Sequence, residues 1–145
     1  MTGGAGCSSN GTPSKKAEAT TRRRSESYRV DTSQPINPSL VARAEKLYRE
    51  RRRRDARLGG TNDLFGEPSW DMLLDLFIAK ARARPVSVSS ACIASSTPQS
   101  TALRYVGLLE QVGLIRRFKD PHDGRRQYLE LTEVGLSEMN AYLAE

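Results

Sequence analysis

Leu108-Leu109-Glu110-Gln111-Val112-Gly113-Leu114-Ile115-Arg116-Arg117, followed by Asp120 through Gly135, is the stretch on which the fold of this chain turns. It reads as the end of one helix, a two-stranded ribbon with a basic loop, and the start of another helix. Gly113 follows the apolar sequence of the first helix and can take the left-handed conformation that ends it at no steric cost. Strand residues Leu114 to Lys119 come next. Asp120-Pro121-His122-Asp123-Gly124 is a turn cluster, in which proline fixes φ, aspartate bonds its own backbone and glycine permits positive φ. In the second strand, Gln127 to Thr132, alternation places Gln127, Leu129 and Leu131 on one face and Tyr128, Glu130 and Thr132 on the other. Thr132 then caps a final helix.

Three blocks carry a resemblance: Leu109-Glu110-Gln111-Val112-Gly113-Leu114-Ile115, Asp120-Pro121-His122-Asp123-Gly124-Arg125, and Leu131-Thr132-Glu133-Val134-Gly135. With no insertion between them, the stretch resembles the winged helix-turn-helix of the MarR family of transcription regulators, and the likeness covers Pro68 to about Leu143. The resemblance implies a mainly α fold with a small β-ribbon (α+β). It also implies that Asp123 and Arg125 brace the wing by a salt bridge while neighbouring basic residues reach the minor groove. Gly124 stands where the family often has arginine, and Arg126 follows, so Arg125 and Arg126 are both carried as wing contacts. Family members usually dimerise through helices at both termini, with a ligand pocket near that junction. Here the chain stops ten residues beyond Gly135, which argues against a small-molecule effector and leaves the earlier helices to supply most of any dimer interface.

Upstream of the ribbon, Pro68 opens a helix in which Trp70, Leu73, Leu74, Phe77, Ile78 and Ala81 follow the i, i+3, i+4, i+7 pattern. Met72 and Leu76 lie off that stripe. A helix apolar on more than one face is deeply buried or covered by a partner, and the small size of the domain points to a partner, hence a homodimer. After the basic turn Arg82-Ala83-Arg84-Pro85, residues 86–90 read as the start of a second helix with Ser87 as N-cap, containing Ala91, Cys92 and Ile93. Ser95-Ser96-Thr97 is a turn. Thr97 as N-cap and Pro98 as first residue start the third helix, 98–112, in the recognition-helix position of the resemblance.

On that helix Ala102, Tyr105, Val106 and Leu109 are spaced to line the core, leaving Gln99, Ser100, Leu103, Arg104 and Gly107 outward. Hydroxyls at Thr97, Ser100 and Thr101 suit phosphate and base edges at a helix N-terminus. Gln99 suits adenine, and Arg104 suits guanine or a phosphate. Leu103 meets a thymine methyl, makes a protein contact, or is with Leu108 an ordinary surface apolar residue.

Towards the N-terminus the composition shifts. Up to Gly60 there are 14 Lys+Arg against 6 Asp+Glu, and after it 9 against 11. Residues 1–36 read as a disordered basic tail containing Arg22-Arg23-Arg24. Asn37-Pro38 starts a basic amphipathic helix, 37–60, with Leu40, Val41, Ala44, Leu47 and Tyr48 as its apolar stripe and Gly59-Gly60 as its end. Residues 61–67 form a linker, and 68–145 the winged domain. Arg51, Arg52, Arg53 and Arg54 admit three readings: a solvated helix, a grip on the DNA backbone, or a site for an acidic protein or lipid. Arg117 and Lys119 join the DNA-facing set from the ribbon.

Several classes are excluded. Cys7 and Cys92 offer neither a disulfide framework nor a metal spacing, and no cofactor is expected. The longest apolar run, Met72 to Ala79, is broken by Asp75 and falls far short of a membrane span. No nucleophile and base pair or phosphate loop suggests an enzyme. His122 reads as a solvated turn residue. The expectation is a cytoplasmic, nucleoid-associated regulator binding double-stranded DNA, with helix 98–112 in the major groove and wing 119–126 on the minor groove. The alternative is a winged-helix module whose basic helix binds an acidic partner or nonspecific nucleic acid.

Overall fold

A computed structural model describes residues 35–58 and 65–145. The expected disordered tail up to residue 34, the Arg22–Arg24 run, Gly59-Gly60 and most of the expected linker lie outside these residues. Helix α1 spans Pro38–Arg57, and Asn37 caps it: its side-chain oxygen accepts from the Ser39 N–H at 3.0 Å, with Pro38 in the first turn. Ile36, assigned to the tail by sequence, is half-buried against the core. Along α1 Ala44 is fully buried, and Leu40, Val41, Leu47 and Tyr48 pack beside it. The stripe is covered within the chain, by α2 (Pro68–Ala81) and α5 (Glu133–Ala144). Two hydrogen bonds fasten it, from Arg43 Nη1 to the Leu143 carbonyl at 3.1 Å and from the Tyr48 hydroxyl to the Ala94 carbonyl at 3.4 Å.

Helix α2 is the centre of the core. Met72, Leu74 and Phe77 have no exposed surface and Leu76 almost none. This corrects the expectation drawn from Met72 and Leu76: both faces of α2 are filled from within, by α1 on one side and by the remaining helices and β3 on the others, so α2 gives no reason to expect a partner. Ala81, counted in the stripe, is exposed. Each large apolar side chain buried here contributes about 1.5–3 kcal/mol relative to leaving it in water.

The rest of the chain runs β1 (Val86–Ser87), α3 (Val88–Ala94), α4 (Gln99–Gln111), β2 (Ile115–Lys119), β3 (Gln127–Leu131) and α5. The three strands form one antiparallel sheet in the order β1-β3-β2, with Val86 opposite Leu129, and Ile115 opposite Leu131. The pair Val86-Ser87, expected as the start of a helix, is instead the short edge strand β1. Two residues are too few to show a period. Ser87 still caps α3, its hydroxyl accepting from the Ser90 N–H at 3.1 Å. Leu129 and Leu131 face the core. Tyr128, on the opposite face, is also buried, stacked on Phe118 at 5.7 Å between ring centroids.

The joints are local and chemical. Gly113 ends α4 with φ of 75°, where glycine alone pays no steric penalty. The Thr132 hydroxyl donates to the Gly113 carbonyl at 2.6 Å and accepts from the Gly135 N–H at 3.0 Å, so one side chain ties the end of α4 to the cap of α5. The result is an α+β winged helix-turn-helix: α3 and α4 form the helix-turn-helix, and β2-β3 the wing.

Candidate nucleic-acid interface

The turn between α3 and α4 is held by Ser95, whose buried hydroxyl lies 2.7 Å from the Cys92 carbonyl and 3.0 Å from the Thr97 hydroxyl. Ser96 accepts a φ of 53° there, a conformation that costs a residue with a Cβ about 1–2 kcal/mol. Thr97 is not the N-cap. The Pro98 carbonyl accepts from the Ala102 N–H at 2.9 Å, so Pro98 holds that position and α4 begins at Gln99 without a side-chain cap. Proline has no side-chain acceptor, which leaves the first-turn N–H groups without the cap that Thr97 is expected to provide.

Along α4, Ala102, Val106 and Leu109 are buried and Tyr105 is half-buried, while Gln99, Ser100, Leu103 and Arg104 are exposed. Thr101 and Gly107 are intermediate. Leu108 is exposed as well, near the far end of the helix.

The wing is shaped by carboxylates bonding main chain. Asp120 Oδ1 accepts from the His122 N–H at 2.8 Å and Oδ2 from the Tyr128 hydroxyl at 3.3 Å. The His122 N–H, above all, holds the Asp120 carboxyl below its ordinary range. The brace expected between Asp123 and Arg125 takes another form. Asp123 Oδ1 accepts from the main-chain N–H of Arg125 at 3.1 Å, and no ion pair joins the two side chains among the described residues. A short side chain closing on a nearby N–H shapes the loop locally and leaves the Arg125 guanidinium out of the brace. Arg125, Arg126 and Lys119 are exposed. A hydrogen bond to the Tyr128 hydroxyl, above all, raises the pKa of Arg126. Arg117 is spoken for: it grips Glu110 through Nη2 at 2.9 Å and Nε at 3.3 Å. Arg116 pairs with Glu130 across the ribbon.

The arginine run of α1 also turns inward. Arg51 Nε lies 2.6 Å from Asp71 Oδ1, and Nη1 3.1 Å from Glu67. Burial, the largest single influence, would lower the Arg51 pKa, but the hydrogen bond and charge of Asp71 together with the charges of Glu67 and Asp55 raise it overall. Arg52 lies over the Tyr48 ring, 4.9 Å from its centroid. Arg54 donates to the Phe65 carbonyl at 2.8 Å. Arg53 is exposed. Of the four residues for which a phosphate grip is one of three readings, Arg51 is thus a strut between α1 and α2, and Arg52 and Arg54 lie against their own helix and the linker.

Two clefts line the outer side of α3. One, about 450 Å³, is bounded by Ser87, Ser89, Asp123, Arg125, Arg126 and Gln127. The other, about 360 Å³, is bounded by Ser89, Cys92, Ile93, Thr97 and Gln99. Ser89 belongs to both, so one surface runs from the wing across α3 to the start of α4. Sequence reading missed Ser89 and Ile93 as parts of this surface. Ile93 is 80% exposed, although its neighbours Ala91 and Cys92 are buried. Burial pushes the Cys92 thiol up, away from nucleophilic chemistry. No group of three or more potential metal ligands occurs among the described residues. No helix of the described residues is long and apolar enough to cross a membrane.

A helix-turn-helix followed by a basic two-stranded wing defines the chain as a winged-helix protein. No protein-family model matches the chain, and no curated protein does. Among solved structures it is similar to S. aureus MepR in its DNA-binding conformation, at 19% identity over 75% of this chain and 76% of that one, TM-score 0.49. It is also similar to a probable transcriptional regulator from Pseudomonas aeruginosa, at 24% identity over 72% and 74%, TM-score 0.45. A third is the heme sensor protein PefR from Streptococcus agalactiae in complex with heme, at 20% identity over 71% and 65%, TM-score 0.48. These are distant likenesses, and the chemistry of the chain's own surface carries the functional reading.

Proposed function

We propose that the chain is a sequence-specific DNA-binding transcriptional regulator of the nucleoid, with α4 in the major groove and the wing, 119–126, on the minor groove. The observation that supports this reading is the continuous surface from Arg125 and Arg126, past Ser89, to Gln99. A duplex laid along it puts a phosphate strand between the wing and α4, with the N-terminus of α4 facing the groove floor. Gln99 and Arg104 are the side chains of this face suited to base edges. Ser100 and Thr101 with the uncapped first turn of α4 suit phosphate. Lys119, Arg125 and Arg126 supply the backbone charge, and Arg51 and Arg117 drop out because carboxylates of the same chain hold them. A homodimer on a two-fold-symmetric site is part of the proposal, with the exposed Val134 and Tyr142 of α5 offering apolar surface for a second copy to cover.

Two expected results test it. Gln99→Ala and Arg104→Ala each change discrimination at one base pair by about 1–3 kcal/mol, read as competition between single-base variants of a selected duplex; unchanged preference in both would remove α4 from the groove. Arg125→Ala with Arg126→Ala weakens all duplexes alike and lowers the slope of log affinity against log salt by about 0.9 for each phosphate no longer neutralised, measured by titration at several salt concentrations. An unaltered slope would take the wing off the backbone.

A second reading, a module docking on another protein, is favoured by Leu108 and Val112, both exposed on the C-terminal half of α4. Under that reading both pairs of variants leave duplex binding as weak and unselective as before.

A further inference from the structure

Ile93 is the most exposed large apolar side chain among the described residues, at 80%. It is not on a remote surface: it lines the same cleft as Thr97 and Gln99 at the start of α4. One turn further along α4 from Gln99, Leu103 is 39% exposed on the same side of the helix. The face proposed to enter the major groove therefore carries two branched apolar side chains and one amide: Ile93 in the same cleft as Gln99, and Leu103 one helical turn beyond it. In the adjoining cleft that shares Ser89, Arg125 and Arg126 outnumber Asp123, which gives the surroundings of these side chains a net positive charge. An apolar protein partner has no use for that charge, whereas a polyanion that also presents methyl groups matches both features. In duplex DNA the major-groove edge of thymine offers a C5-methyl, and adenine opposite offers the donor and acceptor that an amide side chain matches.

We infer that Ile93 and Leu103 read the C5-methyl groups of thymine near an adenine bonded by Gln99, so that the preferred duplex is rich in A·T pairs at these steps. The inference rests on the DNA-binding reading above and adds the class of base that the apolar part of the face takes. Ile93 comes from α3, so the helix preceding the recognition helix contributes to base choice and does not only cross the backbone.

The test uses the full chain and a random-sequence duplex pool, followed by the enriched duplex with single thymines replaced by deoxyuridine. That replacement removes a methyl group and leaves every hydrogen-bonding edge intact. The expected result is an enriched A·T step at which uracil weakens binding roughly fourfold for each methyl removed, the value of one buried methyl-sized group. In Ile93→Ser and Leu103→Ser, each side chain being exposed enough to change without disturbing the core, thymine and uracil become equivalent at the matching position. Thermal melting of each variant checks that the fold is intact. If sequences are enriched but uracil is neutral throughout, or if both variants keep the full thymine preference, this inference is overturned while the DNA-binding reading stands. If no sequence is enriched, both fail together, and the apolar pair belongs to a protein contact.

Discussion

Replacing Asp71 by alanine is expected to cost about 3–5 kcal/mol of stability, the usual cost of leaving one member of an enclosed ion pair alone. Asp71 is 2% exposed and sits in the first turn of α2, where its charge also suits the helix N-terminus. Its partner Arg51 reaches it from α1 at 2.6 Å. Once Asp71 is gone, the guanidinium keeps only Glu67, a mostly exposed carboxylate whose attraction water screens. The packing between α1 and α2 then encloses a charge for which it provides no answer. Arg51→Met combined with Asp71→Leu should recover most of the loss, because replacing both charges avoids the stranded one. Urea unfolding of the single and double variants measures this directly. A loss below about 1 kcal/mol for Asp71→Ala would mean that the pair behaves as a surface salt bridge, and Arg51 would be available for phosphate after all.

Gly135→Ala is the second large effect. A Cβ at this position would lie 2.0 Å from the Leu114 carbonyl oxygen and 2.9 Å from its carbon. Both are main-chain atoms, and the oxygen is already fixed by the Thr132 N–H at 3.0 Å. No rotamer change relieves such a clash, so α5 must move off the start of β2 and give up the Thr132 cap. The expected loss is about 3 kcal/mol or more, at or beyond the top of the usual range for overpacking. Gly107→Ala is the matched control: nothing lies within 4 Å of its Cβ, and inside a helix alanine gains about 0.5–1 kcal/mol over glycine. Denaturation midpoints of the two variants should move in opposite directions. Equal shifts would contradict the close approach of α5 to Leu114.

These residues also show what the sequence makes legible. Asn37, Ser87 and Thr132 act as caps because capping needs only a short polar side chain and an N–H two or three residues away. Gly113 ends its helix for an equally local reason. The alternation in β3 is visible for the same cause, a fixed period within one strand. Long-range pairings were the opaque part. Met72 and Leu76 announce that α2 is covered on several faces, but not whether α1 or another copy covers it. Four consecutive arginines look like a phosphate grip until Asp71, twenty positions away, takes one of them. Glu110 does the same to Arg117 across the α4–β2 joint.

The interface divides along the same line. The outward face of α4 follows from the helical period once Ala102, Val106 and Leu109 are placed inside. Ile93 could not be read that way, because α3 has only seven residues, and its orientation is set by where Ala91 and Cys92 find the core. The wing arginines were visible, yet the form of the brace was not: an aspartate two residues before an arginine is compatible with both an ion pair and a turn.

The packing of α1 also decides which form of the protein a binding experiment needs. Removing residues 1–60 would strip Ala44 and the Arg51 strut from α2, so the whole chain is the proper object. The most direct measurement is selection by the full chain from a random-sequence duplex pool, with affinities of enriched and unselected duplexes compared at one salt concentration. A base-reading α4 predicts an enriched sequence bound at least about 10³ more tightly than random duplex. Equal affinity for every duplex, falling steeply with salt, would contradict it and leave only a polyanion-binding surface.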